Sequence, residues 1–203
     1  TLSGLSLSIQ IGLLTAAASS VIALILGTAA ALNRRIDAAV SWLIDLFMGI
    51  PHILLVMLIS LAFGKGFAGV AAGISLSHWP SLSRVIRGEI LQLRNAPYLL
   101  AAEKLGVPRL QLILRHIFPH LFPQFLTGFI LQFPHAILHE ASINFLGFGL
   151  PPEQPAIGII LSESMRYLTT GKWWLALFPG LALTGTVLLF ESMGRQLGGK
   201  RRI

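Results

Sequence analysis

Residues 5–32 read LSLSIQIGLLTAAASSVIALILGTAAAL, a run of apolar and small residues that ends at the polar Asn33-Arg34-Arg35. A helix needs about 20 such residues to cross a bilayer, and this run is longer than that. It is also too long for the apolar part of a signal peptide. We therefore predict that residues 5–32 form a membrane-spanning helix.

The composition of the whole chain also indicates a membrane protein. Of its 203 residues, 54% are apolar and 11% are charged, and the mean hydropathy is +0.76. Soluble domains carry about 25% charged residues, so the lipid bilayer must serve as solvent for this chain. The absence of cysteine excludes disulfides and thiolate metal sites. The net charge of +7 comes from residues between apolar runs, so nucleic-acid binding is not indicated.

Four further apolar runs are long enough to span a membrane, at about residues 38–63, 66–86, 117–138 and 173–193. The run at 38–63 contains Gly49-Ile50-Pro51, which predicts a kinked helix that faces other protein segments. The run at 66–86 is the weakest, because it contains several serines and His78. These runs predict an all-α polytopic membrane helix bundle, a single transmembrane domain over residues 1–203 with about five spans.

The lysines and arginines indicate how this bundle is oriented. If residues 5–32 enter the membrane from outside, twelve of the fifteen basic residues lie inside, which agrees with the positive-inside rule. The inside residues are Arg34, Arg35, Arg84, Arg87, Arg94, Lys104, Arg109, Arg115, Arg195, Lys200, Arg201 and Arg202, and the outside ones are Lys65, Arg166 and Lys172. The C-terminus is then cytoplasmic. Because such a chain needs something upstream to insert it, we expect a sixth, N-terminal helix before Thr1.

The polar and basic segment 89–116 lies between the third and fourth predicted helices and is too polar to span. It contains YLLAAEKLG at residues 98–106, with Pro119 thirteen residues after Gly106. This pattern resembles the EAA loop of binding-protein-dependent importer permeases, in which Glu-Ala-Ala is followed by a glycine and then by Ile-x-Leu-Pro. Leu100, His116 and Phe118 depart from the family pattern. The loss of the glutamate at position 100 puts a specific salt bridge to an ATPase in doubt.

The residue types in this segment suit a short helix that seats in a groove of another subunit. Ala101 and Ala102 allow close backbone approach, and Gly106 can adopt positive φ and end the helix. Pro108 then suits the first turn of a second helix. The alternative is an ordinary helix-turn-helix connection. The residues predicted to contact an ATPase are Tyr98, Ala101, Ala102, Glu103, Lys104, Leu105, Gly106, Val107 and Pro108.

The resemblance extends along the chain. EASINFLGFG at residues 140–149 is similar to the Glu-Ala-Ser-x-Ser-Phe-Leu-Gly-x-Gly signature of dipeptide, oligopeptide and nickel importer permeases, and Phe178-Pro179-Gly180 also matches. Near the C-terminus only Gly194 and Leu197 of the family pattern are kept. The resemblance implies the second, C-type permease subunit of an ATP-binding cassette (ABC) importer with the type I fold, in the inner (plasma) membrane of a prokaryote.

That resemblance also implies the partners and the mechanism. A homologous permease, two ATP-binding subunits and a periplasmic or extracellular substrate-binding protein are expected. The pair of permeases would carry peptides, nickel or metal chelates by alternating access. We expect no cofactor on this chain, because ATP and Mg²⁺ would be held by the partner subunits.

Polar residues within the spans are candidates for the translocation pathway. His135 and His139 are spaced i, i+4 and share a helix face beside Glu140, and Asp45 lies inside the second run. The histidines could equally sit at the membrane interface, and Asp45 could hydrogen-bond a neighbouring helix. We predict no metal site, although the spacing of His135 and His139 would allow both side chains to contact a metal ion.

Enzymatic motifs are missing from the sequence. The lysines of the Gly-Lys pairs, Lys65, Lys172 and Lys200, are followed by Gly, Trp and Arg, so no P-loop is present. Ser77 beside His78 is the one pair that suggests an intramembrane hydrolase, and adjacent helical residues are not expected to face each other. We predict that the chain is not an enzyme. The alternative to an importer permease is a channel or membrane scaffold subunit without ATP coupling.

Overall fold

The computed structural model describes residues 1–112, 115 and 117–199, and within these ranges the regular secondary structure is helical. The helices are α1 Leu2–Leu32, α2 Arg34–Gly49, α3 His52–Ala62, α4 Phe67–Arg94, α5 Pro97–Lys104, α6 Arg109–Leu112, α7 Phe118–Phe145, α8 Ile157–Leu168 and α9 Trp174–Gly199. The all-α prediction is confirmed. His116 and the basic residues Lys200, Arg201 and Arg202 lie outside the described residues.

Three described helices, α1, α7 and α9, are long and apolar enough to cross a membrane. The bent pair of α2 and α3 makes a fourth if it counts as one span. The third predicted span, residues 66–86, corresponds to α4, which continues to Arg94, eight residues beyond the expected end. Its serines, histidine and arginines lower its hydropathy, so α4 does not meet the same criterion. The amphipathic α8 was not predicted, because its apolar residues cover only one face.

The predicted kink at Gly49-Ile50-Pro51 is a full break. α2 and α3 meet at an angle of 102°. Ile50 is extended, with φ −96° and ψ 137°, because the ring of the following proline disfavours the helical conformation of the residue before it. His52 therefore becomes the first residue of a new helix instead of lying in the middle of a span.

Helix α1 lies at the centre of the bundle and has its most extensive contact with α4, followed by α7. Small residues permit this close packing. A Cβ atom on Gly27 would lie 2.7 Å from the carbonyl oxygen of Ser83, and one on Gly12 would lie 2.9 Å from the ring of Phe133. Small residues at helix contacts are the usual means by which membrane helices approach each other.

The two ends of the bundle differ in charge. At one end, which we call the basic end, Arg94 Nη1 donates to the carbonyl oxygen of Ala31 at 2.8 Å. Arg87 forms two hydrogen bonds with Asp37 nearby, at 2.5 and 2.6 Å. At the opposite end the N–H of Gly66 donates to the carbonyl of Gly149 at 3.1 Å. Arg87 and Arg94, which are predicted to lie inside, are thus at one end. Gly66, whose neighbour Lys65 is predicted to lie outside, is at the other.

The buried apolar residues form two clusters. The first contains Ile11, Val56, Ile74 and Phe133 and lies toward the opposite end. The second lies toward the basic end and joins α1, α2, α4 and the start of α7. It also includes Leu99 of α5 and Leu112 of α6, so the segment between α4 and α7 is packed onto the bundle.

Candidate functional site

The segment of residues 97–112, which we call the 97–112 loop, consists of α5, a tight turn and α6. Gly106 has φ +83°, as predicted. The N–H of Val107 donates to the carbonyl oxygen of Ala102 at 3.1 Å, which is the hydrogen bond of a glycine-terminated helix end. Glycine takes this conformation without steric cost, so the chain reverses here and α6 can follow.

The 97–112 loop has an inner face and an outer face. Leu99 and Leu112 are buried in the core at the basic end, and Ala102 and Val107 pack partly against it. On the outer face Tyr98 and Leu100 are exposed, and Leu105 is 84% exposed. Large apolar side chains that project from a well-anchored segment are typical of a surface that contacts another protein.

The residues predicted to contact an ATPase divide between these two faces. Ala101, Lys104 and Pro108 are exposed together with Leu105, whereas Ala102 contacts the bundle itself. Glu103 lies in the last turn of α5. Only part of the predicted set is therefore placed to meet a partner.

A second candidate site is a cavity of about 500 Å³ next to the break between α2 and α3. Its polar lining comes from α3, α4 and α7, and the side chains are His52, Ser77, His78, Ser81, Gln132, His135 and His139. Four of these seven are histidines. This is an unusual concentration of polar groups for helices of such low overall charge.

Three of the histidines meet one another. Potential ligand nitrogens of His52, His78 and His139 all lie within 4.8 Å of each other. The ring centroids are 4.5 Å apart for His52 and His78, 4.6 Å for His52 and His139, and 5.0 Å for His78 and His139. Because the ring planes are inclined by 80–84°, the imidazoles meet edge to face instead of stacking.

Backbone carbonyls orient two of these rings. Nδ1 of His78 lies 2.9 Å from the carbonyl oxygen of Ile74, and Nδ1 of His139 lies 2.7 Å from that of His135. Ser77 Oγ also approaches Nδ1 of His78, at 3.1 Å, so the expectation that these adjacent side chains do not face each other was wrong. The same nitrogen is engaged by the Ile74 carbonyl, which ties the contact to local helix geometry.

A buried polar network supports the cavity from the side of α1. The hydroxyls of Ser19 and Ser20 donate to Gln132 Oε1 at 2.7 and 2.8 Å. Gln132 Nε2 in turn donates to the backbone carbonyl of His78 at 3.2 Å. One glutamine thus fixes the relative positions of α1, α4 and α7 beside the histidines.

The four predicted pathway residues fall in different places. His135 and His139 line the cavity. Asp45 is exposed and accepts a hydrogen bond from Arg84 of α4 at 2.6 Å, so it bonds a neighbouring helix, which was the alternative to a place in the pathway. Glu140 is fully buried away from the cavity and accepts a hydrogen bond from Asn144, whose Oδ1 accepts from the N–H of Leu150 at 2.7 Å.

Sequence reasoning missed His52 and Gln132 and did not place His78 in the pathway. A usable signal was nonetheless present. His52 directly follows Pro51, and His78 lies two residues before Pro80, so each histidine lies within two residues of a proline in an apolar run. Interrupted membrane helices often line binding cavities.

Comparisons with known proteins agree with the helix arrangement. A chain of the MetNI methionine ABC transporter in an inward-facing conformation superposes with a TM-score of 0.77 and 16% identity, over 99% of this chain and 96% of that one. At this identity the likeness shows the fold, and it confirms the predicted type I importer bundle.

Sequence relatives are closer. A candidate peptide transport system permease of Brucella suis is 36% identical over 94% of this chain and 64% of its own length. In Bacillus subtilis the oligopeptide transport system permease OppC is 30% identical and the dipeptide transport system permease DppC 26% identical, each over 94% of this chain. The chain spans 60–64% of the length of these relatives. The family described as binding-protein-dependent transport system inner membrane component matches residues 19–203, and this chain belongs to that family.

Proposed function

We propose that this chain is one of two permease subunits of an ATP-driven importer, with residues 1–203 as one transmembrane domain. The partners would be a homologous permease, two ATP-binding subunits and an extracytoplasmic substrate-binding protein, in a prokaryotic inner membrane. Family membership and the similarity to OppC and DppC support this proposal. The named activity of those relatives favours peptides as substrate.

The observation that carries the proposal is the construction of the 97–112 loop. Its buried leucines fasten it to the core at the basic end, while Leu105 and its neighbours project outward. A loop that is both anchored and apolar on its outer face can transmit a displacement of a docked ATPase to α4 and α7. The segment 89–116 would therefore act as the coupling loop, and the basic end of the bundle would lie in the cytoplasm.

Transport would then proceed by alternating access. The cavity beside the α2–α3 break would form this subunit's half of the pathway, exposed first to one side of the membrane and then to the other. ATP hydrolysis would occur on the partner subunits, so this chain would itself need no cofactor. A channel or scaffold would lack any need for a docked ATPase.

A pair of matched substitutions tests the docking role. Leu100 in the loop and Leu197 near the end of α9 are both 44% exposed. In the full importer, Leu100→Ser should weaken co-purification of the ATPase about five- to thirtyfold, as expected when an apolar contact worth about 1–2 kcal/mol is lost. Leu197→Ser should leave it unchanged.

Nucleotide turnover provides the second measurement. In proteoliposomes, the Leu100→Ser complex should lose substrate-stimulated ATP hydrolysis while the chain still inserts and remains folded. Uptake that continues at the normal rate without any bound ATPase would support the channel alternative and contradict the proposal. Equal effects of Leu100→Ser and Leu197→Ser would contradict the role of the loop.

A further inference from the structure

The three-histidine cluster carries an inference about what this permease handles. We propose that His52, His78 and His139 form an exchangeable binding site for a divalent late first-row transition metal ion, such as Ni²⁺, Zn²⁺ or Cu²⁺. The ion would enter either free or held in a small chelate. The transport role of the site rests on the permease function proposed above, whereas the binding itself does not.

The nitrogen atoms are placed as metal ligands require. Metal–imidazole bonds of about 2.0–2.1 Å put nitrogens around one ion roughly 3.4 Å apart. The three side chains already offer nitrogens within 4.8 Å of one another, so small ring rotations would complete the site. The histidines come from three different helices, which fixes their positions better than neighbours on one flexible segment.

Hydrogen bonding leaves the correct nitrogen available. The Nδ1 atoms of His78 and His139 face backbone carbonyls, which accept hydrogen bonds, so each Nδ1 carries the ring proton. The lone pair then resides on Nε2. Metal-binding histidines commonly show this arrangement, in which a carbonyl fixes the ring and raises its basicity.

His78 provides the most specific observation. Its side chain is more than nine-tenths buried, and its Nε2 has no hydrogen-bond partner among the described residues. A buried acceptor without a partner is destabilising, so it is retained where it has a use. The neighbouring rings of His52 and His139 place it at the centre of a cluster that a cation would complete.

The donor set indicates which ions fit. Among the described residues that line the cavity, four are histidines and none is Asp or Glu. Imidazole donors suit nickel, copper and zinc, whereas magnesium and calcium require oxygen ligands. Three neutral ligands add no negative charge and leave a coordination position open, so the ion can be released.

The cluster also lies at a depth in the helix bundle where a transported ion would be bound on its way across the membrane. His52 lies ten residues before the end of α3 and His78 eleven residues after the start of α4, both about 15 Å from the opposite end at 1.5 Å per residue. His139 lies six residues before the end of α7, about 9 Å from the same end. The cluster thus lies well inside the ends of these helices, at a depth within a hydrocarbon core of about 30 Å. Ionisable side chains at such a depth are rare outside substrate pathways.

Metal titration of the full chain in lipid nanodiscs tests the proposal, without ATP, without partner subunits and without a histidine tag. The probe is Co²⁺, whose visible absorbance reports nitrogen coordination, in a buffer containing excess Mg²⁺. We expect saturable binding of one ion per chain. Each of His52→Gln, His78→Gln and His139→Gln should weaken it about tenfold or more. His120→Gln, an exposed histidine on α7, is the matched control and should bind normally.

Two further arms make the result decisive. Ni²⁺ alone and Ni²⁺ in a one-to-one complex with free histidine show whether the ion or a chelate is bound, and binding of either supports the site. Thermal unfolding verifies that each variant is folded. If His78→Gln fails to fold, metal binding by the variants of the half-buried His52 and His139 decides whether the cluster is the site. Absence of saturable binding in the folded wild-type chain, or equal binding by the cluster variants, overturns the proposal.

Failure of this inference is distinguishable from failure of the permease assignment. A chain that binds Co²⁺ through the cluster but shows no ATPase coupling would contradict the proposed function and keep the metal site. A coupled importer that binds no metal would do the reverse.

Discussion

The 97–112 loop and the histidine cavity are opposite kinds of incomplete surface. The loop leaves apolar groups such as Leu105 exposed, although its own base is buried in the core. The cavity instead buries polar groups such as His78, one of whose nitrogens has no partner within the described part of the chain. Large apolar side chains that are exposed outside the membrane are typically covered by another protein, and a buried nitrogen acceptor needs a proton donor or a cation. The contrast fits the two proposals, a docked protein on the loop and a bound cation in the cavity.

The two regions should therefore fail independently. Gly106→Val gives the largest expected effect, because a β-branched residue at φ +83° costs at least about 1–2 kcal/mol and distorts the turn. Coupled uptake by the full importer should fall about tenfold or more. Metal binding at the cavity should be unchanged.

Gly106→Asn is the matched control, because asparagine tolerates positive φ. It should restore most of the uptake that Gly106→Val loses. If both variants transport at the wild-type rate, the turn has no part in coupling. If both are equally impaired, the effect does not come from backbone conformation.

Gln132→Leu tests the cavity side with the loop left intact. It removes the acceptor of Ser20 and the donor to the His78 carbonyl, and should lower the free energy of unfolding by about 1–3 kcal/mol. Gln10→Leu is the control, since Gln10 is exposed and makes only a 3.4 Å hydrogen bond to Ser6. Thermal unfolding in detergent measures both. Equal stabilities would contradict the role assigned to this network.

The sequence was sufficient to predict those structural features whose residues are close together in the chain. Long apolar runs predicted α1, α7 and α9, and Gly106 with its neighbours predicted the turn of the loop. The three-histidine cluster could not be found in this way, because His52, His78 and His139 are brought together by helix packing. The spacing of His135 and His139 indicated the face of α7 that lines the cavity, whereas the histidines that lie closest to His139 there, His52 and His78, come from other helices.

Misplaced residues have equally local reasons. Asp45 was a candidate for the pathway because it is ionisable and lies in an apolar run. The break at Pro51 turns α2 by 102° relative to α3, and Asp45 is exposed and bonds Arg84 of the neighbouring α4, which was its alternative role. The helix α8 was missed because its apolar residues do not form a continuous run. The end of α4 was placed too early because the helix continues beyond its apolar run.

The smallest expected effects concern the ion pairs at the basic end. A double-mutant cycle on Asp37 and Arg87, which are 25% and 33% exposed and joined by two hydrogen bonds, should give a coupling energy of about 1 kcal/mol. The same cycle on Glu191 and Arg195, an exposed i, i+4 pair on α9, should give about 0.3–0.5 kcal/mol. Both are measured by unfolding. A larger coupling energy for Glu191 and Arg195 than for Asp37 and Arg87 would show that the first turn of α2 is not held to α4 by this ion pair.

Labelling of Leu105→Cys tests whether the 97–112 loop is the surface on which an ATPase docks. Because the chain has no cysteine, a single cysteine can be introduced without background from these residues. In inside-out vesicles a membrane-impermeant maleimide should label Leu105→Cys rapidly, and bound ATPase should slow this labelling about tenfold. Leu197→Cys should react at the same rate with and without the ATPase. Equal labelling of Leu105→Cys in the presence and absence of the bound ATPase would contradict the account.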